Sequence, residues 1–186
     1  TSAGPTTCCG PIPRLPVSLG DMDSLVARLQ SALPPRRIAC FDMEWTAWEG
    51  SMQRNWSAPG EYREVVQIGA VKLDPAGNFA EVGFFECLVR PRLNPILSGY
   101  FTRLTGIHQE ALAARGFDFA DAFAALKDFL ADCEAVISNG GDEEVWIENC
   151  DRYGLQFPLD RSRFYSCRDY LSLATGIDSP LLYSGN

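Results

Sequence analysis

Ile38-Ala39-Cys40-Phe41-Asp42-Met43-Glu44-Trp45-Thr46 is the most informative stretch of the chain. An unbroken apolar run from Ile38 to Phe41 suits a strand buried on both faces. Two carboxylates follow at once, Asp42 and Glu44, with a single residue between them. Alternate residues of an extended chain point to the same side, so the end of such a strand holds both acids on one face. At neutral pH two charges that close repel, and one takes up a proton unless a cation sits between them. A hard divalent ion prefers oxygen ligands, so the pair reads as half of a Mg²⁺ or Mn²⁺ site. Two unrelated acids at a solvated strand end are the other reading, and D-x-E alone is too short a pattern to choose.

The chain has 186 residues, enough for one domain with a substantial core. Its 46% apolar and 22% charged residues fit an ordinary globular protein. Asp and Glu number 24 against 16 Lys and Arg, a net charge of −8. Such a surface repels nucleic acid at long range, which argues against a sequence-reading DNA binder but does not exclude an enzyme that grips a short strand end through metal ions. Seven cysteines are an odd number, and none of Cys40, Cys87, Cys133, Cys150 and Cys167 forms a C-x-x-C pair. Free thiols in a reducing compartment are expected, hence an intracellular protein, cytoplasmic or nuclear. No stretch approaches the ~18 apolar residues of a membrane span, so no membrane partner is expected. The chain opens on Thr1 and stops at Asn186, and is expected to be a piece of a longer protein.

Pro5, Pro11, Pro13 and Pro16 make residues 1–17 a flexible leader ahead of a domain over 18–186. Asp21 or Asp23 caps a helix with Leu25, Val26, Leu29 and Leu33 at helical spacing, ended by Pro34-Pro35. After the first strand, residues 47–63 form a polar loop with Trp48, Trp56 and Tyr62, which either stack on bases or pack into a small core of their own. Val65 to Leu73 and Phe79 to Val89 read as an antiparallel hairpin turned at Asp74–Asn78. Short helices follow around Gly99–Leu104 and Gln109–Arg115, then an amphipathic helix carrying Phe119, Phe123, Leu126, Phe129 and Leu130. Ala135-Val136-Ile137 is a buried strand, Asp142 to Tyr153 a helix with Val145, Trp146 and Cys150 inward, Phe164 to Cys167 a last strand, and Leu171 to Ala174 a short helix. This order predicts an α/β fold, a mixed sheet of five strands flanked by helices, with its parallel crossings in the second half. Ligands in such sheets gather at the carboxyl ends of the parallel strands. With the first and fourth strands as central neighbours, Asp142 joins Asp42 and Glu44.

Four segments resemble one family. Phe41-Asp42-Met43-Glu44-Trp45-Thr46 resembles the first motif of DEDD-type (DnaQ-like) 3′–5′ exonucleases, a branch of the ribonuclease H-like fold, and Val65-Val66-Gln67-Ile68-Gly69-Ala70-Val71 is similar to its second strand. Leu104-Thr105-Gly106-Ile107 resembles its L-T-G-I turn, and Ser138-Asn139-Gly140-Gly141-Asp142 its second motif. Trp48-Glu49 is similar to the branch that trims histone mRNA and small interfering RNA. The resemblance implies a metal-dependent exonuclease acting on the 3′ end of single-stranded RNA or DNA, RNA ahead of DNA. It implies that Asp42, Glu44 and Asp142 are the catalytic, metal-binding acids for two ions, with Asp42 bridging them. It also implies that Leu104 and Thr105 line the terminal nucleotide's pocket, bordered by Met43 and the backbone of Trp45 and Thr46.

The chain departs from the family at the last motif, H-x-x-x-D or Y-x-x-x-D on a final helix. No acid follows Asp178, and Tyr183 has no Asp four residues on. His108, the single histidine, lies in the L-T-G-I-H turn and is expected to face solvent. Glu143 and Glu144 replace Asp142 if the register slips, or serve as favourable charges at a helix N-terminus. A domain lacking its final helix would be a catalytically incomplete nucleic-acid-binding or protein-interaction domain, its open face free for a partner chain or a second copy.

Overall fold

The computed structural model describes residues 36–168 together with Ser24, Ala27 and Ser31, which are helical and exposed. The leader over 1–17, the apolar positions of the first expected helix, the helix expected at Leu171–Ala174 and any final helix lie outside the described residues. Among the described residues five strands are present: β1 (Ile38–Trp45), β2 (Val65–Asp74), β3 (Ala80–Leu88), β4 (Ala135–Ser138) and β5 (Phe164–Ser166). Among the described residues four helices accompany them: α1 (Gly99–Thr105), α2 (Gln109–Arg115), α3 (Phe119–Phe129) and α4 (Asp142–Tyr153). The strands order as β3-β2-β1-β4-β5, antiparallel across β3-β2-β1 and parallel across β1-β4-β5. The expected mixed sheet and its parallel second half are both present.

The hairpin between β2 and β3 closes as its turn residues require. Asp74 accepts the Ala76 N–H on its side chain and the Gly77 N–H on its carbonyl, each at 3.1 Å. Phe79, expected to open β3, belongs instead to the turn, with φ +58° beside Asn78 at +57°. Strand pairing therefore begins one residue later, at Ala80.

One face of β1 carries Ala39, Phe41 and Met43 into the main core, where Phe119, Phe123 and Leu126 of α3 and Val145, Trp146 and Cys150 of α4 meet them. Trp146 anchors this core with its ring edge-on to Phe41, Phe123, Phe157 and Phe164, at centroid separations of 5.2–6.0 Å. Burial on both faces holds for Ile38, Ala39 and Phe41 but not for Cys40, which is exposed on the side that also carries Asp42 and Glu44. Cys133 and Cys150 are buried, Cys87 and Cys167 half-buried, and all five described cysteines are free thiols.

Two buried polar side chains tie the elements together. Asn149 sits on the inward stripe of α4, donating Nδ2 to the Arg63 and Val145 carbonyls at 2.7 Å and accepting the Val65 N–H at 3.1 Å. Glu64, fully buried, accepts the N–H groups of Arg92, Leu93 and Asn94 and the hydroxyl of Tyr153 at the end of α4. Pro91 ends the β3 extension, so the three N–H groups beyond it have no strand to join, and a carboxylate meets that need with charge-assisted bonds. Burial pushes the Tyr153 hydroxyl's pKa up, and its bond to Glu64 adds to the rise. Glu64→Gln turns an amide NH₂ toward a cluster of donors. It is expected to lower stability by about 2–4 kcal/mol, read as a fall in the urea midpoint, and an unchanged midpoint would refute this role for the carboxylate.

Candidate active site

β1 pairs with β4 only from Ile38 to Cys40, yet it pairs with β2 as far as Trp45. Past Cys40 the β4 side of β1 is therefore an open crevice at the carboxyl end of two parallel strands, the usual ligand position in such sheets. The chain leaving β4 turns through Asn139, Gly140 and Gly141 and enters α4 at Asp142, whose side chain fills that crevice. Asp142 Oδ1 accepts the Met43 N–H at 3.0 Å, so a buried carboxylate sits against the amide between Asp42 and Glu44. The three acids expected to converge are brought together.

Their electrostatics agree. Burial raises Asp142 to about 6, with the charge of Asp42 adding to the rise, while bonds from the Met43 amide, its own amide and Ser138 oppose it. Glu44 is half-buried and its pKa is raised by burial first, then by the charges of Asp42 and Asp142. Asp42 reaches solvent, and the surrounding protein still raises its pKa. A register shift between Glu44 and Trp45 bends the strand just past the acids, as bulges beside active sites do. Three carboxylates whose charged forms burial disfavours offer oxygen donors suited to a hard divalent cation. Among the described residues no three carboxylate, imidazole or thiol groups form a preformed metal cluster. The donor chemistry fits a divalent ion nonetheless, because burial and mutual repulsion are what a cation would relieve.

The remaining expected residues divide into backbone and side-chain cases. The Met43 side chain is 4% exposed and belongs to the core, so only its backbone faces the acids. Thr46 is buried, its hydroxyl donating to the Tyr62 carbonyl and accepting the Glu64 N–H. Trp45 is half-buried against Trp56, whose Nε1 donates to the Thr46 carbonyl at 2.8 Å and whose ring Arg63 overlies. Of the loop aromatics, Trp56 thus packs down, whereas Tyr62 stays exposed beneath Arg152. Helix α1 is moored just past β1 by the Ser98 hydroxyl, which donates to the Ala47 carbonyl, and by Phe101 and Ile107 packed with Ala47 and Val66. On it Leu104 is 46% exposed, while the Thr105 hydroxyl donates to the Phe101 carbonyl and accepts the Ile107 N–H. Leu104 is free to touch a ligand and Thr105 is occupied in ending the helix. His108 is exposed at the N-cap of α2. Glu143 is paired with Arg161, whereas Asp142 is the residue that reaches the Met43 amide.

Sequence reasoning missed Arg168. Its Nη2 donates to the Asn139 carbonyl at 2.9 Å and its Nε to Asn139 Oδ1 at 3.2 Å, gripping the turn that delivers Asp142. Gly140 has φ +140° in that turn, and a Cβ there would stand 3.0 Å from Arg168 Nη2. Nothing local links Arg168 to a turn so far back in the chain, and no sequence signal points to it.

A folded-state pKa of about 6 for Asp142, above its ordinary 3.8, means that the folded chain holds this proton more tightly than the unfolded one. That contribution is complete below about pH 4 and is lost as pH rises through 6, leaving the metal-free protein weakened near neutrality. Asp142→Asn keeps the oxygen that accepts the Met43 N–H and removes the charge. It is expected to stabilise the metal-free protein at pH 7.5 by about 1–3 kcal/mol, with no gain at pH 4, and to weaken Mn²⁺ binding in calorimetry. Equal melting shifts at both pH values would contradict this.

A family model described as exonuclease, RNase T, matches residues 39–174. No curated protein matches the chain in sequence. Among solved structures, the nuclease domain of 3′hExo, a DEDDh family member bound to rAMP, has a TM-score of 0.65 at 19% identity, covering 78% of this chain and 73% of that one. A 3′-exonuclease seen in 3′-end-specific recognition of the histone mRNA stem-loop gives 0.67 at 20% identity, over 78% of this chain and 50% of that one. E. coli Exonuclease I in complex with an oligonucleotide gives 0.58 at 14% identity, over 75% of this chain and 30% of that one. The chain thus spans half the length of the second and less than a third of the last. At these identities the likeness is one of fold, the ribonuclease H-like mixed sheet of the DEDD exonucleases. Since the family model extends over most of the chain and includes all three acids, the chain belongs to the RNase T exonuclease family.

Proposed function

We propose that the chain is a metal-dependent 3′–5′ exonuclease that releases nucleotides from the 3′ end of single-stranded nucleic acid, RNA ahead of DNA. The observation that carries this reading is the seating of Asp142 on the amide between Asp42 and Glu44. These three carboxylates would hold Mg²⁺ or Mn²⁺, two ions in the complete enzyme. A bound divalent ion supplies Lewis-acid activation of water and offsets phosphodiester charge that a protein of net charge −8 would otherwise repel.

The chain's own residues position the strand end. Asp142 is fixed by the Met43 amide from one side and by the Arg168-held turn from the other. Leu104 presents an apolar side chain on a moored helix, suited to lie against the terminal base. Met43, Trp45, Thr46 and Thr105 border the same pocket, chiefly with their backbones. The RNA preference is supported by the neighbours solved with rAMP and with a histone mRNA stem-loop, which share this fold. We place the exonuclease unit over residues 18–186, behind a leader of 1–17.

A time course in Mg²⁺ with matched single-stranded RNA and DNA, labelled at the 5′ or the 3′ end, tests this directly. The 5′-labelled strand is expected to shorten as a ladder while the 3′ label leaves at once as a mononucleotide, with RNA degraded faster. Asp42→Ala is expected to slow the reaction at least ~100-fold. Internal cuts in a 3′-blocked strand would refute exonuclease action. Metal and strand binding without cleavage would mark the catalytically incomplete domain instead.

A further inference from the structure

Beside the acids lies a cleft of about 540 Å³ that the active-site description leaves unused. Its floor continues the face of the sheet that carries Asp42 and Glu44. Gln67 stands directly across from Glu44 in the β1–β2 register, and Glu86 and Leu88 extend the floor onto β3. Its wall is the turn holding His108, then Arg115 of α2, with Phe117 at the far end. At ~4.8 Å between strands, the β3 floor is on the order of 10 Å from the acids, a reach of one or two nucleotides.

The Phe117 side chain is 52% exposed, yet its backbone is fixed. Its N–H donates to the Leu88 carbonyl at 2.8 Å and its carbonyl accepts the Arg90 N–H at 2.9 Å, a parallel bridge to Val89. Gly116 allows this close approach, since a Cβ there would stand 2.5 Å from the Leu112 carbonyl oxygen and 2.7 Å from Arg90 Cγ. A large ring held toward water on pinned backbone is a stacking surface. The floor offers a defined hydrogen-bonding pattern. Gln67 Nε2 donates to Glu86 Oε1 at 2.9 Å. What this pair has left for a ligand is mainly acceptor oxygen, from the Gln67 amide oxygen and the remaining side of the carboxylate, beside one further Gln67 N–H. Adenine, cytosine and guanine each carry an exocyclic amino donor that suits such acceptors, whereas uracil carries carbonyl oxygens in place of an amino group, which the carboxylate repels, and has only its ring N3–H to donate. The same acid keeps phosphate off the floor, leaving the cation of Arg115 as the place for it.

We propose that this cleft seats a nucleobase of the single strand upstream of the one at the acids, stacked on Phe117 and selected for an exocyclic amino group by the Gln67–Glu86 pair, with Arg115 taking the phosphate. The proposal rests on the exonuclease reading and adds a base preference to it.

Fluorescence anisotropy of labelled A, C and U RNA decamers with the full 186-residue chain tests it. Ca²⁺ replaces Mg²⁺, supplying charge without the tight octahedral geometry that Mg²⁺ demands. Oligo-A and oligo-C are expected to bind about 5- to 10-fold more tightly than oligo-U, the size of one net hydrogen bond. Phe117→Ala should weaken all three by about 5- to 50-fold, Phe117→Trp should preserve binding, and Arg115→Ala should weaken all three alike. Glu86→Gln should bring oligo-U level with the others, because an amide can donate to a uracil carbonyl. Unchanged melting temperatures show that the variants are folded. If the decamers bind and Phe117→Ala and Arg115→Ala both stay within twofold of the parent, the cleft proposal is overturned while the exonuclease reading stands. Equal affinity of the parent for all three decamers overturns the base selection. A parent chain that binds no decamer overturns both.

Discussion

A single backbone amide without a strand partner sets the geometry of this site. β1 outruns β4, so the Met43 N–H points into the crevice beyond the end of β4, and the acceptor that meets it is the carboxylate of Asp142. A buried amide must be paired; a carbonyl would have served as well and would have carried no chemistry. By using an acid, the fold puts a third carboxylate beside two others: burial raises the pKa of all three, and the neighbouring charges add to the rise at Glu44 and Asp142. The turn held by Arg168, the unusual backbone of Gly140 and the start of α4 at residue 142 all serve that one contact.

Destabilised charge of this kind needs a rigid frame. The frame is the core around Trp146, which lies one helical turn along α4 from Asp142 and joins that helix to β1 and β5 through Phe41 and Phe164. Asn149 then fastens the next turn of α4 to the start of β2. The open side of the sheet is built differently. Cys40 and Asp42 on β1 and Phe84 on β3 all reach solvent there, and the cleft beside the acids lies on the same side. That side is open around Cys40, Asp42 and Phe84 and closed only where Ile38, Ala135 and Ile137 form a second buried cluster.

Much of this was legible in the sequence because it is local. The apolar run before Asp42, the turn at Asp74–Asn78 and the helical spacing of Phe119, Phe123 and Leu126 act through neighbouring residues, and strand order followed from connection lengths. The convergence of Asp142 with Asp42 and Glu44 was also accessible, since it needs only a parallel β1–β4 pair. What stayed hidden depends on distant partners. Arg168 grips a turn that lies about thirty residues earlier; Glu64 gathers N–H groups from beyond the next hairpin. Asn149 did leave a trace, a polar residue on an otherwise apolar helical stripe, which signals a buried backbone group in need of a partner. Burial of Met43 follows from the alternation that turns Asp42 and Glu44 to the other face, whereas that of Thr46 depends on side-chain direction past the bulge, on which a motif match carries no information.

Helix α4 is held at both ends: Asp142 grips β1 at its first residue, and Tyr153 at its last is locked to Glu64. Its 12 residues make a rod about 18 Å long. A rod clamped twice cannot slide at one end alone, so the position of Asp142 is mechanically geared to the buried carboxylate of Glu64 at the other end of the helix. Drift in the loop over residues 92–94, whose N–H groups Glu64 holds, would then pass along the helix to the carboxylate at its first residue.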